Sequence, residues 1–154
     1  MNFLSKIFTN KKVGCPRCLG KGDVNLEDIK LFKKELFWAP GKCAYCNGAG
    51  KVPSKRVAIV SADIEYLTTD LPGEERRRLY NGDIGALKRA KEFEAQIIKT
   101  IEQIEHLYYI ENLEPKQIAE YLFNVHEKCN YTATEKQKLN QYIEKVINSK
   151  QKKQ

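Results

Sequence analysis

The second half of the chain shows the three- and four-residue spacing of apolar side chains that is typical of amphipathic helices. From residue 83 onward, lysines and glutamates separate apolar positions that recur at this spacing: Leu87, Ala90, Phe93, Ile97, Ile101, Ile104 and Tyr108. The pattern predicts one long helix over residues 83–112. Because near-heptad spacing also suits a coiled coil, the apolar face of this helix could be covered by other parts of the chain, by a second copy of it or by another protein.

Two shorter helical patterns follow the long helix. The first runs from Pro115 to about His126 and begins with a proline, a residue favoured in the opening turn of a helix. The second runs from Thr134 to about Ser149, and Thr132 or Thr134 can cap its N-terminus. The three helices together predict a small helical bundle, with a lysine-rich C-terminus that frays.

The pattern is less decisive just before the long helix. Residues 57–67, VAIVSADIEYL, are rich in apolar side chains and fit either a strand or a helix. Asp70, Pro72 and Gly73 then end the pattern, because aspartate, proline and glycine favour turns. Both alternatives stay open for this segment.

Residues 23–42 also allow two structures. Asn25 can cap a short helix whose apolar positions recur at spacings of three and four: Ile29, Phe32 and Leu36. The pair Pro40-Gly41 is instead a turn signal and favours a hairpin. The sequence therefore predicts a short helix or a hairpin in this region.

The composition is that of a folded protein without a membrane-spanning segment. Hydrophobic residues make up 42% of the 154 residues and charged residues 31%, values that are typical of globular proteins. No apolar run approaches the roughly 20 residues needed to cross a bilayer. The opening stretch, MNFLSKIFTNKK, is too broken in hydrophobicity for a secretion signal, so we expect a cytoplasmic protein.

The net charge of +7 is concentrated in the first third of the chain. Residues 1–56 contain twelve lysines or arginines and four acidic residues, a balance of +8. Residues 57–154 contain fifteen basic and sixteen acidic residues, a balance of −1. A basic segment of this kind suits nucleic acid or an acidic partner, and a solvated surface is the alternative.

The most specific signal is an eight-residue pattern, C-x-x-C-x-G-x-G, that occurs twice, as CPRCLGKG at 15–22 and as CAYCNGAG at 43–50. A two-residue spacer lets both sulfurs of one pair reach the same ion, and two such pairs complete a tetrahedral zinc site. The pattern predicts one zinc ion per chain with four ligands: Cys15, Cys18, Cys43 and Cys46. Because four thiolates leave no open coordination position, we expect the site to be structural.

The residues around the cysteines favour a metal site over a redox pair. Glycines stand where the backbone must turn back around the second sulfur of each pair, and such turns can direct N–H groups at the thiolates: Gly20, Gly22, Gly48 and Gly50. Disulfides are disfavoured in the expected reducing compartment. The frame of a thioredoxin-like redox motif is also missing.

The fifth cysteine, Cys129, stands outside the repeats. Together with His126 it could offer two ligands at positions i and i+3, but nothing in the sequence supplies two more. We interpret the two residues as a buried thiol beside a surface histidine.

The repeated pattern resembles the cysteine-rich zinc domain of DnaJ-type J-domain chaperones over about residues 13–55. In that family such repeats pair across a hairpin-like module, and two repeats share one zinc ion. A full domain has four repeats, so the chain resembles half of one. The resemblance implies zinc ligation by the four repeat cysteines and a role in protein contact. The chain lacks the His-Pro-Asp tripeptide of a J domain and a Gly/Phe-rich linker, so the resemblance does not extend to a complete co-chaperone.

These observations predict a mainly α fold in two parts. Residues 1–56 are expected to form a small zinc-knuckle module with a short β-hairpin-like structure. Residues 57–154 are expected to form a mainly helical domain, either a bundle or one long amphipathic helix with two shorter ones.

The predicted function is that of a zinc-binding protein-interaction module, chaperone-like or an assembly adaptor. Phe37 and Trp38, beside the second cysteine pair, are candidate contact residues, with a place in the small core as the alternative. A second hypothesis is a zinc-dependent nucleic-acid-binding protein that neutralises phosphates with basic side chains: Lys11, Lys12, Arg17, Lys21, Lys51, Lys55 and Arg56. No phosphate-binding loop, Ser/His/Asp set or suitably framed acidic pair occurs, so no enzymatic activity is predicted.

Overall fold

The computed structural model describes residues 11–125 and 131–152. Within these residues it contains six helices and two small antiparallel sheets, which confirms the mainly α fold with a β-hairpin-like region around the repeats. The strands are β1 (Lys12–Gly14), β2 (Asp23–Val24), β3 (Gly41–Lys42) and β4 (Lys51–Pro53). The helices are α1 (Leu26–Leu31), α2 (Ser54–Ile59), α3 (Gly73–Tyr80), α4 (Ile84–Tyr109), α5 (Pro115–Val125) and α6 (Ala133–Gln151).

Several sequence-based predictions lie outside the described residues. They concern His126, Cys129 and the apolar side chains of the first ten residues. Within the described part of the chain, every helix is too short or too polar to cross a bilayer.

The two sheets bring the cysteine repeats side by side. β1 pairs with β4, so that Val13 lies opposite Val52, and β2 pairs with β3, so that Val24 lies opposite Gly41. The first repeat connects β1 to β2 and the second connects β3 to β4. Because both ends of each repeat are held in the same pair of sheets, residues 28 positions apart in sequence meet in space.

The region between the repeats contains both of the predicted features. Asn25 caps α1 by accepting a hydrogen bond from the Asp28 N–H at 2.9 Å, and Asp28 accepts one in return from the Asn25 N–H at 3.0 Å. The helix ends at Leu31, before the predicted position Leu36, and Lys33 has the left-handed backbone angle φ of 56° that stops a helix. The chain then returns through Pro40 to pair β3 with β2.

The chain divides into two compact units, Met1–Glu94 and Ala95–Gln154. In the first unit the cysteines share one core with apolar side chains from the whole region up to α4, which include Val60, Leu67, Leu79, Ala86 and Ala90. The core around the cysteines therefore extends past residue 56, the boundary expected from the sequence.

The segment 57–67 is mostly irregular. Helix α2 begins before it, at Ser54, and ends at Ile59. The rest of the segment forms neither of the two predicted elements, and it packs into the core through Val60 and Leu67, each about 1% exposed. Apolar side chains at irregular spacing can thus be explained by burial of a loop, which a search for strand or helix periodicity does not detect.

The three predicted helical segments form α4, α5 and α6 in nearly the predicted positions, and the second unit contains α5, α6 and the part of α4 after residue 94. Its core is formed by one side of the later part of α4 together with α5 and α6: Ile104, Leu107, Ile118, Ala119, Leu122, Ile143, Val146 and Ile147. Thr132 caps α6 and forms a reciprocal pair of hydrogen bonds with Glu135. The Tyr109 hydroxyl donates to the Ile147 carbonyl at 3.0 Å and joins α4 to α6.

The chain itself therefore covers both ends of the α4 apolar face. Ala86 and Ala90 are buried in the first unit, and Ile104 is buried in the second. Phe93 and Ile98, between them, are 39% and 51% exposed. Oligomerisation through this helix stays a prediction.

Candidate metal centre

The sulfur atoms of the four repeat cysteines lie together in the first unit. All four Sγ atoms are within 4.8 Å of one another. The Sγ atoms of Cys15 and Cys43 are 3.8 Å apart, and those of Cys18 and Cys46 are also 3.8 Å apart. None of the four residues is more than 5% exposed. Each cysteine of one repeat therefore lies beside the equivalent cysteine of the other.

This sulfur cluster fits a tetrahedral metal ion. With a Zn–S distance of about 2.3 Å, the edge of a regular tetrahedron of sulfurs is about 3.8 Å. Both measured Sγ–Sγ distances of 3.8 Å agree with that edge. The four cysteines could thus hold one metal ion, and they would occupy all four of its coordination positions.

The two repeats fold into the same turn around their sulfurs. The residues after the second cysteine, Leu19 and Asn47, have left-handed φ angles of 54° and 53°. Further along the turn, the Gly22 N–H donates to the Cys18 Sγ and the Gly50 N–H donates to the Cys46 Sγ, each at 3.2 Å. These N–H groups stabilise thiolates, because a donor spreads the negative charge of a metal-bound sulfur.

Gly22 and Gly50 are also required by the close approach of one repeat to the other. A Cβ atom on Gly22 would lie 2.6 Å from the Gly48 carbonyl oxygen, and one on Gly50 would lie 2.5 Å from that of Gly20. Both distances are too short for any side chain, and the atom in the way is backbone, which cannot rotate aside. The turn around the sulfur was the only reason for these glycines that the sequence indicated. The close contact between the repeats is a second reason.

Burial makes the ionised cysteines costly without a cation. It raises the pKa of the Cys18 thiol. The adjacent Cys15 sulfur, together with burial, raises the pKa of the Cys43 thiol. Four neighbouring thiolates therefore require a positive ion among them, as a metal site provides.

Arg17 lies beside the cluster, and its role was not predicted from the sequence. The side chain is only 3% exposed, and its guanidinium donates to three backbone carbonyls at 2.6–2.8 Å: Ala62, Ile64 and Leu67. It also stacks on the Trp38 ring, at 4.5 Å from the ring centroid. Burial lowers the pKa of Arg17, while the Cys43 and Cys15 sulfurs act in the opposite direction. Arg17 thus connects the first repeat to the loop after α2.

Trp38 lies in the core, which was the alternative to a contact role in the sequence analysis. It is 8% exposed, packs against Phe32 with ring centroids 5.6 Å apart, and lies under the Arg17 guanidinium. Phe37 is half-buried. In this structure, therefore, Phe37 keeps some accessible surface, and Trp38 stabilises the surroundings of the cysteines.

The seven basic residues of the nucleic-acid hypothesis fall into two groups. Three are used within the protein: Arg17 as above, Lys21 in an ion pair with Asp28 at 2.6 Å, and Arg56, which donates to the Tyr45 carbonyl at 2.7 Å and stacks on the Tyr80 ring. The other four are exposed, and no ion pair among the described residues involves them: Lys11, Lys12, Lys51 and Lys55.

Comparison of the chain with models of protein families, with curated proteins and with solved structures gave no match. The geometry of the site is therefore the main basis for assigning a function.

Proposed function

We propose that the protein is a zinc-binding protein-interaction module of the chaperone-like or assembly-adaptor type, similar to half of a DnaJ-type cysteine-rich domain. The observation that carries the proposal is the group of four buried sulfurs at the spacing of a zinc tetrathiolate. Such an ion has no free position for water or substrate, which supports a structural rather than a catalytic role. We propose that zinc fixes the shape of the first unit and that the surface of this unit binds a partner.

Exposed apolar side chains near the repeats support a contact role. Leu19, Leu26 and Leu31 are each more than half exposed, although leucine is usually buried. Leu19 lies in the first cysteine turn with a left-handed φ of 54°, a conformation that is unfavourable for a leucine. These residues, together with the accessible part of Phe37, are the proposed contact positions.

The metal content of the purified protein tests the zinc proposal. We expect one equivalent of zinc per chain, and a Co²⁺-substituted form with the strong visible absorption of a tetrahedral thiolate site, because four sulfurs surround the ion. The double variant Cys15→Ser/Cys43→Ser should lose both, since it removes one ligand from each pair. Cys129→Ser is the matched control and should keep both. Less than about half an equivalent of zinc in carefully purified protein would contradict the proposal.

A second candidate function is nucleic-acid binding through the four exposed lysines. Alternation along the β1–β4 sheet places Lys12 and Lys51 on the face opposite Val13 and Val52, the face away from the core. The Ser54 N–H donates to the Lys11 carbonyl at 2.8 Å, which brings Lys11 next to the start of α2 and hence to Lys55. Lys12 and Lys51 therefore share one face of the sheet, and the backbones of Lys11 and Lys55 lie near each other at its end.

Salt dependence distinguishes this candidate from protein binding. If the lysines bind phosphates, the logarithm of affinity for duplex DNA should fall with the logarithm of salt concentration at a slope of about −0.9 per contact. Lys51→Glu/Lys55→Glu should reduce both affinity and slope. Lys99→Glu/Lys138→Glu makes the same charge change at exposed positions of the second unit and should reduce them less. If both double variants bind alike and their binding vanishes at moderate salt, the binding is a nonspecific charge effect. That result would contradict this candidate.

A further inference from the structure

A cleft in the first unit lies apart from the metal centre and has no role in the proposed function. It has a volume of about 360 Å³ and is lined by residues of α2, of the loop after it and of α4, together with Lys34. Five of its lining residues are apolar: Ile59, Val60, Ile64, Leu87 and Ala90. A cavity of this size with a partly apolar lining and a few polar groups is typical of a binding site for a small group.

The charged groups that line the cleft are incompletely paired. They are three carboxylates and two ammonium groups: Asp63, Glu65, Glu94, Lys34 and Lys91. Lys34 forms an ion pair with Glu65, and the Ser61 hydroxyl donates to Asp63. Glu94 accepts a long contact, 3.4 Å, from the Glu65 N–H, and its carboxyl also interacts with the Glu65 carboxyl, but no ion pair among the described residues involves it. With all five groups ionised, the cleft has a net charge of −1.

We propose that this cleft binds an arginine or lysine side chain of a partner protein, with its alkyl stem against the apolar lining residues and its cationic head against Glu94. The stem of such a side chain is apolar and its head supplies the one missing positive charge, so a single residue complements both parts of the cleft. The inference goes beyond the proposed function, because it specifies a binding position and a chemistry that the zinc site does not imply.

The titration of Glu94 supports the proposal. Burial and the neighbouring Glu65 carboxyl raise the pKa of Glu94 to about 6. Burial alone would also raise the pKa of Glu65, but the Lys34 ammonium and the Glu94 carboxyl outweigh it and lower that pKa. Asp63 and Lys91 are the other charged groups that line the cleft. Since only ionised Glu94 attracts a cation, binding should strengthen as the pH rises through about 6.

The test uses the zinc-loaded full chain and two small probes that differ only in charge. The probes are N-acetyl-arginine amide and N-acetyl-citrulline amide, which have the same stem but a cationic and a neutral head. Backbone amide NMR signals of residues lining the cleft, such as Glu65 and Lys91, should shift saturably with the arginine probe. The citrulline probe should bind about tenfold more weakly, because it lacks the charge-assisted contact.

Two variants at neighbouring positions of α4 localise the effect. Glu94→Gln should weaken arginine binding about tenfold and remove its dependence on pH near 6, since glutamine cannot ionise. Glu92→Gln is the matched control: Glu92 is exposed, pairs with Lys88 and does not line the cleft. It should leave both the affinity and the pH dependence unchanged.

The proposal is overturned if the folded, zinc-loaded protein gives no saturable shifts, if citrulline binds as well as arginine, or if the two variants behave alike. The zinc content of the same sample separates this result from the proposed function. Failure to bind arginine in a sample with one zinc per chain counts against the cleft alone. Arginine binding in a folded sample without zinc supports the cleft and counts against the zinc proposal.

Discussion

Removal of the metal ion is expected to unfold the first unit and to leave α5 and α6 in the second unit helical. The four cysteine sulfurs lie inside the core of the first unit, where they contact side chains that extend as far as α4. Without a cation this core must accommodate four buried thiols or repelling thiolates. Structural zinc contributes an apparent binding free energy of about 10–16 kcal/mol at neutral pH, which is comparable to or larger than the stability of a whole domain.

The single tryptophan makes this prediction measurable. Trp38 is buried beside Arg17 in the first unit, so its fluorescence reports on that unit, whereas far-ultraviolet circular dichroism reports on all helices. Titration with a chelator should shift Trp38 emission to that of an exposed indole and remove only part of the helical signal. Readdition of Zn²⁺ should restore both. Complete loss of the helical signal together with the fluorescence change would show that the two units unfold as one and would contradict the prediction.

Replacement of Arg17 by alanine is expected to destabilise the first unit by about 3–5 kcal/mol, although Arg17 is not a metal ligand. The change removes three hydrogen bonds from a charged donor and leaves the carbonyls of Ala62, Ile64 and Leu67 without it. It also removes the partner that stacks on the Trp38 ring. Arg17→Lys should recover only part of the loss, because an ammonium group cannot reach three carbonyls with the geometry of a guanidinium.

Urea unfolding of the zinc-loaded variants measures this effect. Arg77→Ala is the matched control, since Arg77 is exposed on α3, and should change the free energy of unfolding by no more than about 0.5 kcal/mol. Zinc content should remain at one equivalent in all variants under native conditions. If Arg17→Ala and Arg77→Ala had equal effects, the connection between the first repeat and the loop would contribute little to stability.

The features that were predictable from the sequence depend on local chemistry. Apolar spacing located α4 to within three residues at its C-terminal end, and Asn25 and Thr132 cap helices as their side chains favour. The repeated cysteines and glycines were sufficient to predict that four sulfurs would meet. The spacing and capping signals lie within a few residues of the helices that they determine, and the cysteine signal is visible because the same local pattern occurs twice.

The features that were missed depend on contacts between distant parts of the chain. Arg17 appeared to be a surface cation because arginine is usually exposed, and only the three carbonyls about 45–50 positions away explain its burial. The core of the first unit includes residues after position 56 for the same reason, since Val60 and Leu79 become core residues only when the loop folds back, and the domain boundary expected at residue 56 stays a prediction. The resemblance to a DnaJ-type domain and the absence of enzymatic activity stay predictions.

The reciprocal contacts of Gly22 with Gly48 and of Gly50 with Gly20 have a consequence for the history of the fold. The two repeats present equivalent atoms to each other and would share a bound ion equally, as two identical subunits do across a twofold axis. A surface of this kind is self-complementary, because each repeat offers the contacts that it receives. Such a site is what gene duplication would produce from an ancestral homodimer of single-repeat chains, once a linker joined the two copies.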